Sequence, residues 1–109
     1  MSHIDEEFAA LSTPHRRKIV EFLRTGAKSV GEVADHTECT QANTSHALKA
    51  LLNAGIVKRS LSNNDARVHL FQLEDTAFVG LATWLVKMQP PSSPQVLQIM
   101  NLIKEMIVT

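Results

Sequence analysis

The apolar positions in the first part of the chain recur every three or four residues, the spacing of amphipathic helices. A short helix is predicted from Asp5 to Leu11. A second helix begins at Thr13-Pro14, where threonine can cap the first backbone N–H groups and proline suits the first helical position. This helix is predicted to run to about Thr25 and to stop at Gly26. Its apolar stripe consists of Ile19, Val20, Phe22 and Leu23.

Two further helices follow, with a short turn between them. Ser29 and Glu32 have the spacing of a capping box and predict the start of a short third helix. Residues 36–39 are interpreted as a turn. Thr40 then caps a fourth helix, predicted to end at Asn53 or Ala54 just before Gly55. The inward face of this fourth helix is predicted to contain Thr44, Ala47, Leu48, Leu51 and Leu52.

After Gly55 the pattern changes to that of extended chain. Residues 56–60 and 67–73 are interpreted as two strands. In the second strand, the alternating positions are His69, Phe71 and Leu73 on one side and Val68, Leu70 and Gln72 on the other. The residues between them, Ser62-Asn63-Asn64-Asp65, are typical of a turn. The three segments together predict a β-hairpin.

The last third of the chain, from about residue 75 to 108, is predicted to form two helices rich in apolar residues. Asp75 is interpreted as the cap of a helix from Thr76 to about Met88. A proline-rich break at residues 90–94 precedes a last helix from Gln95 to about Val108. The two helices carry more apolar surface than one small core can cover, so a second copy of the chain is expected to bury the remainder.

These elements define a fold class. The order is helix, helix, helix, helix, strand, strand, helix, helix, which is mainly α with a small β-hairpin. A pair of close helices followed at once by a hairpin is typical of a winged helix-turn-helix, in which the second helix of the pair reads the DNA major groove. We expect residues 1–109 to form one such domain, working as a homodimer.

The amino-acid composition is consistent with this fold class. With 44% hydrophobic and 20% charged residues, the 109-residue chain has an ordinary globular composition. Its formal net charge is zero, which is unusual for a DNA-binding protein, yet residues 39–73 carry four cations and one acid. The sequence contains no apolar run long enough to span a membrane and no leader pattern near Met1. One cysteine, Cys39, suggests a reducing compartment, so a cytoplasmic protein is expected.

The fourth helix and the hairpin carry the candidate DNA contacts. Amide side chains such as Gln41 and Asn43 can pair with adenine, and Lys49 can bind guanine or phosphate. Thr40 places a hydroxyl and free N–H groups at the helix start, which suits a phosphate. A merely solvated helix face, and a hairpin edge protected by charge, are the alternatives. The predicted DNA-binding set is Thr40, Gln41, Asn43, Thr44, Ser45, His46, Lys49, Arg59 and Arg67.

Several segments of the chain carry a family pattern; they are Leu11–Val20, Leu23–Arg24, Ser29–Ala34, Thr40–Leu51, Ala54–Val57 and the strand that ends at Phe71–Leu73. In their residues, order and spacing, over about residues 5–75, they resemble the ArsR/SmtB family of bacterial and archaeal repressors. The resemblance implies a repressor that dimerises through its first helix and its helices after the wing. It also implies binding to an operator and release on a signal such as a metal or a thiol oxidant.

The chain departs from the family where metals are sensed. The helix at residues 29–35 lacks the cysteines that metal-sensing members carry there. The helix after the wing, Thr76–Met88, contains no His, Asp or Glu, and the last helix offers only Glu105. His46 stands one position earlier than the histidine of many members. We therefore expect neither a metal site nor a cofactor.

The sequence allows three alternatives to a repressor that binds DNA without a metal or redox switch. Cys39 lies just before the reading helix and could act as a redox switch, but a plain residue in a turn is the more frequent case. His36 and Cys39 are spaced like two metal ligands, but a site needs more. The same fold can also serve as a protein-interaction module, which the zero net charge favours. No phosphate loop or nucleophile motif is present, so enzymatic activity is not expected.

Overall fold

The computed structural model describes residues 3–62, 64–65, 67–90 and 94–108. Asn63 of the predicted turn and residues 91–93 of the predicted break lie outside this part. The chain divides into two compact units, and the boundary in the sequence falls between Ala77 and Phe78. The elements in chain order are α1 (His3–Ala10), α2 (Pro14–Leu23), β1 (Lys28–Ser29), α3 (Val30–Thr37), α4 (Gln41–Asn53), β2 (Val57–Leu61), β3 (His69–Leu73), α5 (Val79–Lys87) and α6 (Pro94–Val108).

The predicted order of helices and hairpin strands is confirmed, with helix ends shifted by one to three residues. Action of the whole chain as a single domain stays a prediction. One element was missed: β1 lies between α2 and α3. Its two residues are too few to show a strand periodicity, and only pairing with a distant strand identifies it.

Side-chain caps begin the three central helices, as predicted. The Thr13 hydroxyl accepts a hydrogen bond from the backbone N–H of Arg16 at the start of α2. At α3 the capping box is complete: Ser29 Oγ accepts from the Glu32 N–H at 3.2 Å, and Glu32 Oε1 accepts from the Ser29 N–H at 3.0 Å. Thr40 Oγ1 accepts from the Asn43 N–H at 3.1 Å. Each cap satisfies a donor that the helix cannot, so the helix starts are set locally.

The core of the first unit lies between α2, α3, α4 and the sheet. Ile19, Val33 and Leu48 are completely buried, one from each of the three helices. Val57 and Phe71 add the inner face of the sheet. The predicted apolar stripes are therefore confirmed, with Phe22, Val30 and Leu52 half-buried at their edges.

The sheet is antiparallel, with strand order β1-β3-β2. Arg59 and Phe71 are directly opposite in the register of β2 and β3, and Val57 is opposite Leu73. Because side chains alternate along a strand, Val57 and Arg59 share the face of Phe71, while Lys58 lies on the other face. The pairing begins at His69, two residues later than predicted, because Arg67 belongs to the turn.

The predicted start of α5 was wrong. Residues 75–78 form turns, in which the Ala77 N–H donates to the Glu74 carbonyl at 3.0 Å. Phe78 adopts a left-handed conformation with φ of 72°, and α5 begins at Val79 without a side-chain cap. Asp75 is therefore not an N-cap, because the chain turns once more before the helix starts.

The second unit contains α5 and α6, and many of its large apolar side chains are exposed. Leu97 and Leu102 of α6 expose 58% and 59% of their surface, and Met88 after α5 exposes 56%. Trp84 and Leu85 of α5 are exposed as well. Within the described residues, neither helix has the length and hydropathy required to cross a membrane.

Candidate nucleic-acid interface

A three-residue connection, Glu38 to Thr40, joins α3 to α4. Glu38 has left-handed backbone angles (φ 56°, ψ 41°), and its N–H donates to the carbonyls of Ala34 and Asp35. The Cys39 N–H also donates to the Ala34 carbonyl, at 3.0 Å. These bonds close the C-terminal end of α3 and turn the chain directly into the cap of α4. The predicted helix-turn-helix is thereby formed.

Thr37 at the end of α3 ties this turn to α2. Its hydroxyl donates to the Val33 carbonyl at 2.8 Å, and His15 Nε2 lies 3.3 Å from the same oxygen. With its proton directed to Val33, the Thr37 oxygen can accept a hydrogen bond from His15 in the tautomer that carries N–H at Nε2. Cys39 Sγ donates to the Thr37 carbonyl at 3.4 Å. The start of α2 and the turn before α4 are thus held by one small polar network.

An aromatic stack joins the C-terminal end of α2 to the C-terminal end of α3. The rings of Phe22 and His36 lie parallel, with centroids 3.9 Å apart, and Lys28 Nζ lies 5.0 Å from the Phe22 ring centre. Such contacts contribute on the order of 1 kcal/mol each. His36 therefore has a packing role in this structure. The histidine–cysteine spacing noted in the sequence does not extend to a metal site: the described part of the chain contains no cluster of three or more His, Cys, Asp or Glu residues suited to a metal.

The outer face of α4 is polar and exposed. Gln41, Ser45 and Lys49 follow one another at intervals of four residues and form one row on the helix. Asn43 and His46 lie beside this row and are also exposed. The structure thus places these five predicted contact residues on the surface, at the start and middle of the helix.

Gln41 and Thr44 differ from the rest of the predicted set. The Gln41 side chain extends toward Gly31 of α3. A Cβ atom placed on Gly31 would lie 3.8 Å from Gln41 Nε2. Thr44 is completely buried. Its inclusion among the DNA contacts is therefore corrected: it belongs to the core face of α4, which the apolar spacing had also predicted. Thr40 is exposed, and its oxygen is occupied by the cap of α4.

A groove of about 540 Å³ lies between α4 and the hairpin. The row on α4 continues into it with Ser45, Lys49 and Asn53, and Arg59 of β2 lines it from the sheet. Asn53 was missed by sequence reasoning, although it lies four residues after Lys49 and so extends the same row. The complete lining is Ser45, Lys49, Leu52, Asn53, Arg59 and Phe71.

The hairpin tip carries an ion pair between Asp65 and Arg67. Asp65 Oδ1 accepts from the Arg67 N–H at 2.9 Å and from Arg67 Nε at 3.2 Å. The Arg67 side chain is 91% exposed. Hydrogen bonds from the Arg67 side chain and then from its backbone lower the pKa of Asp65. Asp65 thus holds Arg67 in an exposed position at the tip.

Two other arginines serve the fold. Arg16 donates to the carbonyls of Ala9 and Ala10, and Arg17 donates to the Leu11 carbonyl at 2.7 Å. These carbonyls lie at the end of α1, where a helix leaves acceptors unsatisfied. Both arginines therefore act as a C-terminal cap of α1, which explains part of the basic content before the helix-turn-helix.

Comparison with known proteins finds a family match over the same region of the chain. Residues 13–59 match the family described as bacterial regulatory protein, arsR family. The resemblance to the ArsR family is confirmed. The matched segment runs from the cap of α2 to Arg59 and contains the whole helix-turn-helix. The chain is thus similar to ArsR-family transcriptional regulators and has a winged helix-turn-helix fold; the family that it matches is one of regulatory proteins.

Individual relatives agree in fold. The chain is 27% identical over 79 residues to the transcriptional repressor SdpR of Bacillus subtilis strain 168, covering 72% of this chain and 84% of SdpR. The crystal structure of the ArsR family regulator RHA00566 matches with a TM-score of 0.69 at 23% identity, over 80% of this chain and 87% of that one. The homodimeric winged helix-turn-helix domain of Mb0332 from Mycobacterium bovis matches with a TM-score of 0.59 at 16% identity, over 97% and 79%.

Proposed function

We propose that this ArsR-family regulator is a repressor that binds an inverted-repeat operator as a homodimer and inserts α4 into the major groove. The observation that carries the proposal is the exposed polar row on α4. Gln41, Ser45 and Lys49 are exposed, whereas Leu48 and Leu51 of the same helix are buried. In helix-turn-helix proteins this face meets base edges and phosphates. SdpR, a relative that covers most of the chain, is a transcriptional repressor.

The second unit supports the dimer. Its exposed apolar side chains on α5 and α6 form the kind of surface that subunit interfaces bury. Mb0332, which shares the fold, is homodimeric. A symmetric dimer presents two reading helices to successive major-groove faces of a palindrome.

In this proposal the residues divide into two groups. Gln41, Asn43, Ser45 and His46 lie in the N-terminal half of α4, where they can reach bases, and Thr40 lies where the helix N-terminus favours a phosphate. Arg67 stands at the hairpin tip and reaches the neighbouring backbone or minor groove. Asp65 positions Arg67 and reduces the local positive charge until DNA replaces it.

Selection of DNA from a random duplex pool by the full chain, at roughly physiological salt, tests the DNA-binding proposal. We expect enrichment of an inverted repeat whose half-sites lie about one helical turn apart. Gln41→Ala or Asn43→Ala should weaken binding to that repeat by about 1–3 kcal/mol. Folded protein that enriches no sequence would favour the protein-interaction interpretation instead.

The dimer has its own test. Sedimentation equilibrium of the full chain should give the mass of two chains at micromolar concentration. Leu102→Glu, on the exposed part of α6, should weaken the association by about 10- to 100-fold, because it places an unpaired charge in the interface. Lys104→Glu is the matched control, since it changes charge two residues away without removing an apolar side chain. Equal association of both variants and the original chain would exclude this face.

A further inference from the structure

We infer that the groove between α4 and β2 binds one phosphate of the DNA backbone, with Lys49 and Arg59 as its two cationic ligands. This inference rests on the proposed DNA-binding function. It assigns a specific role, backbone contact without base readout, to two residues that the sequence places only in a general DNA-binding set.

The fold brings the two cations to the same groove. Lys49 stands in the exposed row of α4, and the same row places Ser45 and Asn53 on either side of it. Arg59 lies opposite the buried Phe71 in the strand register, so it is on the face of the sheet that carries the core. Both side chains therefore line one groove from two different elements.

The charge of the groove favours an anion. Among the described residues, Lys49 and Arg59 take part in no ion pair and no side-chain hydrogen bond. The lining contains no carboxylate. Two other grooves of the first unit differ, since one combines Arg16 with Glu6 and the other combines Lys18 with Glu21 and Glu38. An anion thus meets uncompensated positive charge only where α4 faces β2, among these three grooves.

The neutral lining suits a phosphate as well. Leu52 and Phe71 supply an apolar floor, which reduces the local dielectric constant and strengthens charge–charge attraction. Ser45 and Asn53 can donate hydrogen bonds to the remaining phosphate oxygens. The groove lies toward the C-terminal half of α4, whereas Gln41 and Asn43 occupy the N-terminal half that enters the major groove first. The site therefore anchors the backbone beside the bases that the other residues read.

The first test is the salt dependence of binding. Lys49→Gln, Arg59→Gln and the double variant are titrated onto random-sequence duplex DNA and onto the selected operator, between about 50 and 200 mM salt. Each single variant should bind both duplexes about tenfold more weakly, so that the ratio of the two affinities is unchanged. In a plot of the logarithm of the binding constant against the logarithm of the salt concentration, the slope of the double variant should be smaller in magnitude by about 0.9 per subunit. This is the change expected for one phosphate and not two.

Lys58→Gln is the matched control. Lys58 precedes Arg59 on β2 but lies on the opposite face of the sheet, so its substitution removes a neighbouring charge without touching the groove. We expect this variant to bind within about twofold of the original chain, apart from a small general charge effect. An equal loss for Lys58→Gln and Arg59→Gln would show that only overall charge matters and would overturn the inference.

The second test identifies the phosphate. Operators are made with one uncharged methylphosphonate linkage, moved stepwise across the half-site. One position should weaken binding of the original chain and leave binding of the double variant unchanged. Single variants that respond to different positions, or a fall in operator preference of tenfold or more in Lys49→Gln, would overturn the shared phosphate site. Failure of the proposed function is distinguishable, because then the original chain binds neither duplex.

Discussion

The helices of the two units begin in different ways. In the first unit α2, α3 and α4 each start at a side-chain cap and bury an apolar face. In the second unit α5 starts at Phe78, which has a left-handed backbone and no side-chain cap bond. The described side chains of α6 are exposed at nearly every position.

This difference separates two sources of order. The first unit contains the signals for its own folding, since local caps set the helices and their apolar stripes meet in one core. The second unit has apolar surface left over, which water disfavours and which a partner subunit would cover. The helix-turn-helix is thus defined within one chain, while the exposed apolar surface of the second unit fits an interface between chains.

The largest expected effect contrasts a buried with an exposed leucine. Leu48→Ala removes a completely buried side chain from the core of the first unit and should reduce the free energy of unfolding by about 2–5 kcal/mol. Leu102→Ala, at an exposed position of α6, should change the stability of the dissociated monomer by no more than about 0.5 kcal/mol. Urea unfolding at several protein concentrations measures both. Equal losses of unfolding free energy in the two variants at low protein concentration would contradict this contrast between the units.

The next effect concerns the N-terminal cap of α4. Thr40→Ala removes the hydroxyl that accepts from the Asn43 N–H and should cost about 1 kcal/mol of unfolding free energy. Thr40→Ser keeps the acceptor and should restore most of it. Thr76→Ala is the control, because Thr76 is exposed in the turn before α5 and starts no helix. A loss as large for Thr76→Ala would mean that the second unit also depends on a local cap.

Glu38 and Phe78 are the described non-glycine residues with positive φ, and at Glu38 we expect a smaller effect of opposite sign. Glu38→Gly should raise the free energy of unfolding by about 1 kcal/mol or less, because glycine adopts positive φ without a Cβ clash. Glu38→Ala retains the Cβ and should bring no such gain. Phe78→Gly should gain less or lose stability, because Phe78 is half-buried and its apolar contacts disappear. Thermal unfolding of the three variants ranks them; destabilisation by Glu38→Gly would contradict the strain argument.

The smallest effect is the pH dependence of the α3 capping box. The pKa of Glu32 is lowered, chiefly by the hydrogen bond from the Ser29 backbone and then by that from its side chain. A lowered pKa in the folded state adds stability that is present above the unfolded value of 4.5 and is lost as the pH falls through the folded value. Glu32→Gln should therefore be less stable than the original chain at pH 7, by a difference in unfolding free energy that shrinks as the pH falls below 4.5. A constant difference across this pH range would exclude this role of the charge.

Much of the first unit was predictable because its determinants are local. Thr13, Ser29 and Thr40 cap the helices next to them, and Ile19 and Leu48 lie on stripes visible within a few residues. The α4 surface row follows from the same periodicity. The misplaced start of α5 has a local cause too, but Asp75 resembles a cap equally well in a turn and in a helix. Local chemistry therefore identified the element without its boundary.

Other features depend on residues far apart in the chain. Sequence alone determined the fold class, the order of the helices and hairpin, and the resemblance to a family of regulators, because periodicity, caps and motif spacing act over short distances. Only the tertiary structure decided that β1 pairs with β3, that His15 bonds to Thr37, and that Lys49 and Arg59 line one groove. A strand register and a helix packing angle bring such residues together, and neither is encoded in any short segment.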